Sequence, residues 1–176
     1  VGAAAAFVGA LLLARQLGQE FVPTLDEKDI AMHAMRIPST SLTQSTQMQF
    51  EVERAVSKFP EVGFVFSKTG TAEMASDPMP PNVSDTFIIL RPKNEWPNPI
   101  ESKESLRRRL EEAVERVPGN NYEWTQPIEM RFNELLAGVR GDVAVKVYGD
   151  DFEKMRLSAE RIADVLRGIK GAADVK

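Results

Sequence analysis

The sequence predicts an α+β chain built on a ferredoxin-like βαββαβ unit, and three observations predict it. Segments of strand composition alternate with segments of helical spacing. Two such strand–helix–strand blocks follow one another between residues 29 and 133. A third block opens near residue 142. Consecutive strand–helix–strand blocks form the split βαβ arrangement, an antiparallel sheet with both helices on one face.

Each element has its own warrant. Val1 to Ala14 is an uncharged apolar run, stopped by Arg15, Gln16 and Gly18-Gln19-Glu20. A spanning helix needs about 20 apolar residues, so the run is too short alone. It reads as the C-terminal part of a transmembrane helix over residues 1–17. The competing reading, a signal peptide, requires a charged start that this run lacks. Residues 18–28 then serve as a linker. In the first block, Asp29–Ile37 has the apolar alternation of a strand, and Pro38-Ser39-Thr40-Ser41 supplies N-cap chemistry. Leu42, Ser45, Gln49, Val52, Val56 and Phe59 recur at helical spacing until Pro60. Glu61–Lys68 is β-branched and aromatic and reads as a strand. Thr69 to Val83 holds Gly70, Pro78, Pro80 and Pro81 and reads as a long loop, either a gate or a subunit contact.

The second block repeats the design. Asp85–Arg91 is a strand, Pro92–Ile100 a proline-interrupted connection, and Ser102 caps a helix with Leu106, Leu110, Ala113, Val114 and Val117 on one face. Pro118-Gly119 ends it, and Tyr122–Ile128 returns as a strand with a bend at Pro127. Residues 29–133 thus form one complete unit, and residues 134–141 a second linker. The third block has a strand at Asp142–Tyr148 and a helix capped by Asp150 or Asp151 that carries Phe152, Met155, Ala159, Ile162 and Leu166. Ala172–Lys176 begins a further strand. Residues 142–176 are therefore the first half of a second unit. A half unit cannot bury its own sheet and helix, so the natural chain is expected to continue.

Composition narrows the function. A net charge of −4 opposes a nucleic-acid surface, which carries a basic excess. With no cysteine and one histidine, any metal site must be built mostly from carboxylates. Ser67-Lys68-Thr69-Gly70 contains the KTG element of serine hydrolases, but its S-x-x-K partner is absent. No acid/base dyad or phosphate loop stands out, so the chain does not read as an enzyme. Arg107-Arg108-Arg109 is either an anion site or a solvated helix face interleaved with Glu111, Glu112 and Glu115. Asp26-Glu27-Lys28-Asp29 is either a solvated linker or a negative vestibule for cations.

Five stretches carry a resemblance. Leu17–Met32 (LGQEFVPTLDEKDIAM), Phe59–Glu73 (FPEVGFVFSKTGTAE), Ser76–Leu90 (SDPMPPNVSDTFIIL), Gln126–Asp151 (QPIEMRFNELLAGVRGDVAVKVYGDD) and Gly171–Lys176 (GAADVK) resemble the CzcA-type heavy-metal efflux branch of the resistance–nodulation–division transporters. The resemblance implies that residues 29–133 are a periplasmic porter subdomain. It implies that the whole protein is a proton-driven homotrimer in the inner membrane, most of this segment facing the periplasm. A periplasmic adaptor (membrane fusion) protein and an outer-membrane channel would be its partners. The divalent ion would be transported substrate rather than cofactor.

In the copper- and silver-exporting branch, three porter methionines bind the ion, and those positions fall here on His33, Val83 and Glu134. Thioethers favour monovalent copper, whereas imidazole and carboxylate suit divalent zinc, cobalt, cadmium or nickel. Asp85, two residues after Val83, shares its strand face and would replace it as an oxygen donor. The implied metal ligands are therefore His33, Asp85 and Glu134. Each has a plainer reading: a core histidine, a strand-edge charge, a helix or turn surface residue. Met32 and Met35 read as core. Two other functions stay open, an exporter of organic compounds and a ferredoxin-like ligand-binding module.

Overall fold

The computed structural model describes residues 2–14, 25–71, 78–137, 143–172 and 175. In chain order the elements are α1 (Gly2–Ala14), β1 (Ile30–Met35), α2 (Leu42–Val56), β2 (Val62–Thr69), β3 (Val83–Leu90), α3 (Lys103–Val114), β4 (Asn121–Thr125), α4 (Pro127–Ala137) and α5 (Phe152–Arg167). The four strands form one antiparallel sheet in the order β2-β3-β1-β4, the ferredoxin-like order that two interleaved strand–helix–strand blocks generate.

Local chemistry sets the helix starts. Ser41 accepts the Gln44 N–H and Ser102 accepts the Ser105 N–H, each satisfying one of the amides that a first turn leaves unpaired. Asp151 does the same for Glu153 and Lys154 ahead of α5. The sheet buries Ile30, Met32, Ala34 and Ile88 against Val52 and Val56 of α2 and Leu106, Leu110 and Val114 of α3. Strand residues two apart share a face, so the alternate set, Ala31, His33 and Met35, points to the opposite side of the sheet.

Several expectations change. The strand expected over Tyr122–Ile128 stops at Thr125, and Pro127 opens α4 instead of bending a strand. Proline at the first helical position loses no intrahelical hydrogen bond and brings its φ already set. Helix α4 therefore runs across the 133/134 position where a linker was expected. The strand expected at Asp142–Tyr148 is not formed over residues 143–149. Among the described residues no strand lies beside it, and a lone strand leaves its backbone donors and acceptors unpaired. The further strand expected at Ala172–Lys176 falls largely outside the described residues. Helix α1 spans 13 residues, and among the described residues no helix is long and apolar enough to cross a membrane. Of the long loop expected over Thr69 to Val83, residues 69–71 and 78–83 are described: the Thr71 hydroxyl donates to the Met79 carbonyl and accepts its N–H, which fastens the two sides together. Glu73 and Asp77 lie outside the described residues.

Candidate functional site

Strand register builds the candidate site. On the face opposite α2 and α3, one rung of the sheet takes a residue from each strand: Lys68 of β2 stands across from Asp85 of β3, Asp85 from His33 of β1, and His33 from Glu123 of β4. The neighbouring rung is Phe66, Phe87, Ala31 and Thr125. Its rings stack, with Phe66 and Phe87 centroids 5.0 Å apart and Phe64 6.0 Å beyond Phe66. On the other side lie Val83 and Met35, also register partners. A polar rung is thus set between two rungs that are mostly apolar.

His33 is wholly buried and Asp85 is 5% exposed. The His33 Nδ1–H donates to Asp85 Oδ1 at 2.8 Å, and Nε2, also buried, has no hydrogen-bond partner among the described residues. In the neutral imidazole, a proton held on Nδ1 leaves the Nε2 lone pair available. An imidazole fixed by a carboxylate on one nitrogen and open at the other is the arrangement in which histidines ligate metals. Helix α4 packs on β1 over this face. It enters beside Thr125, whose hydroxyl donates to Glu129 at 3.5 Å, and buries Met130.

Of the three expected ligands the fold brings His33 and Asp85 together. Glu134 lies on α4, where it accepts from Arg131 at 2.9 Å. Among the described residues no group of three or more histidine and acidic side chains stands close enough to hold a metal ion. Met32 is a core residue, while Met35 shares the His33 face. Glu123 was missed by sequence reasoning. The alternation of inward Tyr122 and Trp124 would have assigned it to the outer face, but only the register sets it opposite His33.

The carboxylates of residues 26–29 are largely taken up by the fold. Asp26 pairs with Lys103, and this hydrogen bond holds its carboxyl below the ordinary value, aided by the Lys28 amide. Both carboxylate oxygens of Glu27 accept amides at the start of α4, and Asp29 accepts the Leu90 N–H at 2.9 Å. Arg107 pairs with Glu104 and Glu111 along α3, and Arg109 with Glu61 and Glu101. Two of the three arginines of the run, Arg107 and Arg109, are accordingly ion-paired within the protein.

Comparison with known proteins decides the family. The family model described as AcrB/AcrD/AcrF family matches residues 1–176. The chain belongs to the AcrB/AcrD/AcrF family. Within that family it is 59% identical over 99% of its length to Protein HelA of Legionella pneumophila, and 50% identical over 99% to the cobalt-zinc-cadmium resistance protein CzcA of Cupriavidus metallidurans. Each match covers 16% of the relative, so the chain spans about a sixth of the length of these family members. Its fold matches a crystal structure of a heavy metal efflux pump with a TM-score of 0.82 and 32% identity, over 98% of this chain and 18% of that one. The four-stranded antiparallel sheet with its two helices is thus a porter subdomain of this transporter family.

Proposed function

We propose that the chain is part of a proton-driven pump of the inner membrane that exports divalent heavy-metal cations of the zinc, cobalt, cadmium and nickel class through a periplasmic porter. The pump works as a homotrimer with a periplasmic adaptor and an outer-membrane channel. The observation that carries the reading is the buried His33 imidazole, held by Asp85 through Nδ1 and without a partner at Nε2 among the described residues. Nitrogen and oxygen donors suit divalent first-row ions better than monovalent copper. The 50% identity to a cobalt-zinc-cadmium resistance protein supports the same class. In this reading Nε2 is the nitrogen donor, Asp85 either orients the ring or supplies an oxygen, and Glu134 exchanges Arg131 for the ion. An open donor set of this kind binds and releases, where a closed thiolate site would retain.

A second reading, export of organic compounds, is favoured by the Phe64–Phe66–Phe87 stack, in which Phe64 and Phe66 are exposed beside the polar rung. One experiment separates the two. Cells lacking the full-length gene are complemented with the native gene, His33→Ala, Asp85→Asn or Glu134→Ala, and challenged with zinc, cobalt, cadmium, nickel and a panel of dyes. Metal tolerance restored by the native gene and lost with His33→Ala supports metal export. For Asp85→Asn, loss of a carboxylate partner to a ligating histidine lowers metal affinity about 10–100-fold. Unchanged metal tolerance in the deletion strain, with dye tolerance lost, overturns the assignment.

A further inference from the structure

Helix α4 has no cap of its own. The residue before Pro127 is Gln126, whose side chain accepts from no amide of α4: its Nε2 donates to the Leu25 carbonyl at 3.0 Å and to the Glu129 carboxylate at 3.2 Å, and its Oε1 accepts from the Glu27 N–H at 3.1 Å and from Lys103 at 2.7 Å. The free amides at the start of α4 are taken by Glu27, about a hundred residues earlier in the chain. One carboxylate oxygen accepts Ile128 N–H and the other accepts Glu129 N–H at 2.7 Å. A carboxylate at this end also meets the positive pole of the helix dipole. The segment holding Glu27 is itself fixed. Asp26 pairs with Lys103, Asp29 accepts the Leu90 N–H, and Lys28 adopts φ 66°, a left-handed conformation that a non-glycine residue keeps only when its surroundings impose it.

We propose that Glu27 is a positioning residue that clasps α4 to the segment entering β1. Displacement of residues 25–29 is then transmitted to α4, the helix that covers the His33 face and bears Met130 and Glu134. The functional meaning of that coupling rests on the metal-export reading, but the clasp itself does not. Among the described side chains of α4, Met130 is buried, whereas Ile128, Phe132 and Leu135 are exposed. The Glu27 carboxylate fixes the N-terminal end of α4 directly to the segment entering β1.

The test uses the full-length transporter with spin labels introduced by Glu112→Cys on α3 and Leu135→Cys on α4, and a reference pair of Arg54→Cys on α2 with Glu112→Cys. Glu27→Ala is expected to shift or broaden the α3–α4 distance distribution while leaving the α2–α3 distribution unchanged. Amides at the start of α4 should exchange about fivefold faster, the factor corresponding to loss of a ~1 kcal/mol cap. Glu27→Gln, which keeps an accepting oxygen, should fall between. Two results overturn the proposal: unchanged α3–α4 distances and exchange in Glu27→Ala, or equal changes in both pairs, which mark general unfolding. Zinc uptake by native transporter in vesicles is scored separately, so its absence sinks the metal reading and not the clasp.

Discussion

At the residue scale, the helix-facing side of the sheet carries a buried polar chain as well as the apolar core. Arg36 donates to Ser84 Oγ and to Gln49 Oε1, each at 2.6 Å, and Gln49 Nε2 donates to Ser67 and Thr86, each at 2.8 Å. Burial pulls the Arg36 guanidinium below its ordinary value, offset in part by Tyr122. Burial also pushes the Tyr122 phenol up to about 12, although the Asn120 hydrogen bond and the Arg36 charge pull it back. The sign of the linkage follows. An unfolded tyrosine ionises near its ordinary value of 10.0, whereas the folded one keeps its proton to about 12. Over that window the folded state binds more protons, so stability falls as pH rises, having been fully present below about 10. Urea midpoints of native chain and Tyr122→Phe, compared at about pH 9 and about pH 11, should show the native chain losing more of its stability. Lysine titration is common to both and cancels. Equal pH dependence in the two proteins would contradict the burial of this phenol.

At the element scale, helix starts divide into those written locally and those written elsewhere. Ser102 satisfies the first turn of α3 by accepting the Ser105 N–H at 3.1 Å. Ser102→Ala should therefore cost about 1 kcal/mol, read as a lower urea midpoint with unchanged slope. A silent substitution would mean that the Glu104 carboxylate, already in the first turn, does the capping. Ser102 was legible as a single residue, the Ser41 cap as the stretch Pro38–Ser41 and the Asp151 cap as one of two aspartates, because cap and helix are neighbours in sequence. The start of α4 was not legible, because Pro127 serves equally as a strand bend and as a first helical residue, and the group that decides, Glu27, lies in another part of the chain. The same distinction divides the candidate site. His33 and Glu134 came from the family resemblance and Asp85 from its spacing to Val83, but that His33 meets Asp85, and has Glu123 on its other side, follows only from the β1–β3 and β1–β4 registers. The pairing of Glu134 with Arg131 follows from α4 being a helix, since residues three apart are neighbours there.

At the scale of the whole molecule, burial is uneven. Helices α2 and α3 each bury residues in the core, whereas no residue of α5 is buried, and Phe152, Leu157, Val165 and Ile169 are exposed. What supports α5 is local: the Asp151 cap and the pairs Arg156–Glu153, Arg156–Glu160 and Arg167–Asp164. Such solvent-exposed pairs add little to a helix, and isolated helices of this length are marginal in water. Hydrogen exchange on the chain as it stands should therefore split into two classes. Amides of α2, α3 and the central strands β1 and β3 should exchange only by opening of the whole sheet, and those of α5 by local fraying at rates close to an isolated peptide. Denaturant should accelerate the first class steeply and the second hardly at all, because fraying of α5 exposes little new surface. Protection of α5 equal to that of α3 would show that its apolar side is already packed and would remove the reason for reading residues 143–172 as a half-built unit. Low protection that rises when the chain is extended through the rest of that unit would locate the missing partner of Val143, Val145 and the α5 face in the added residues.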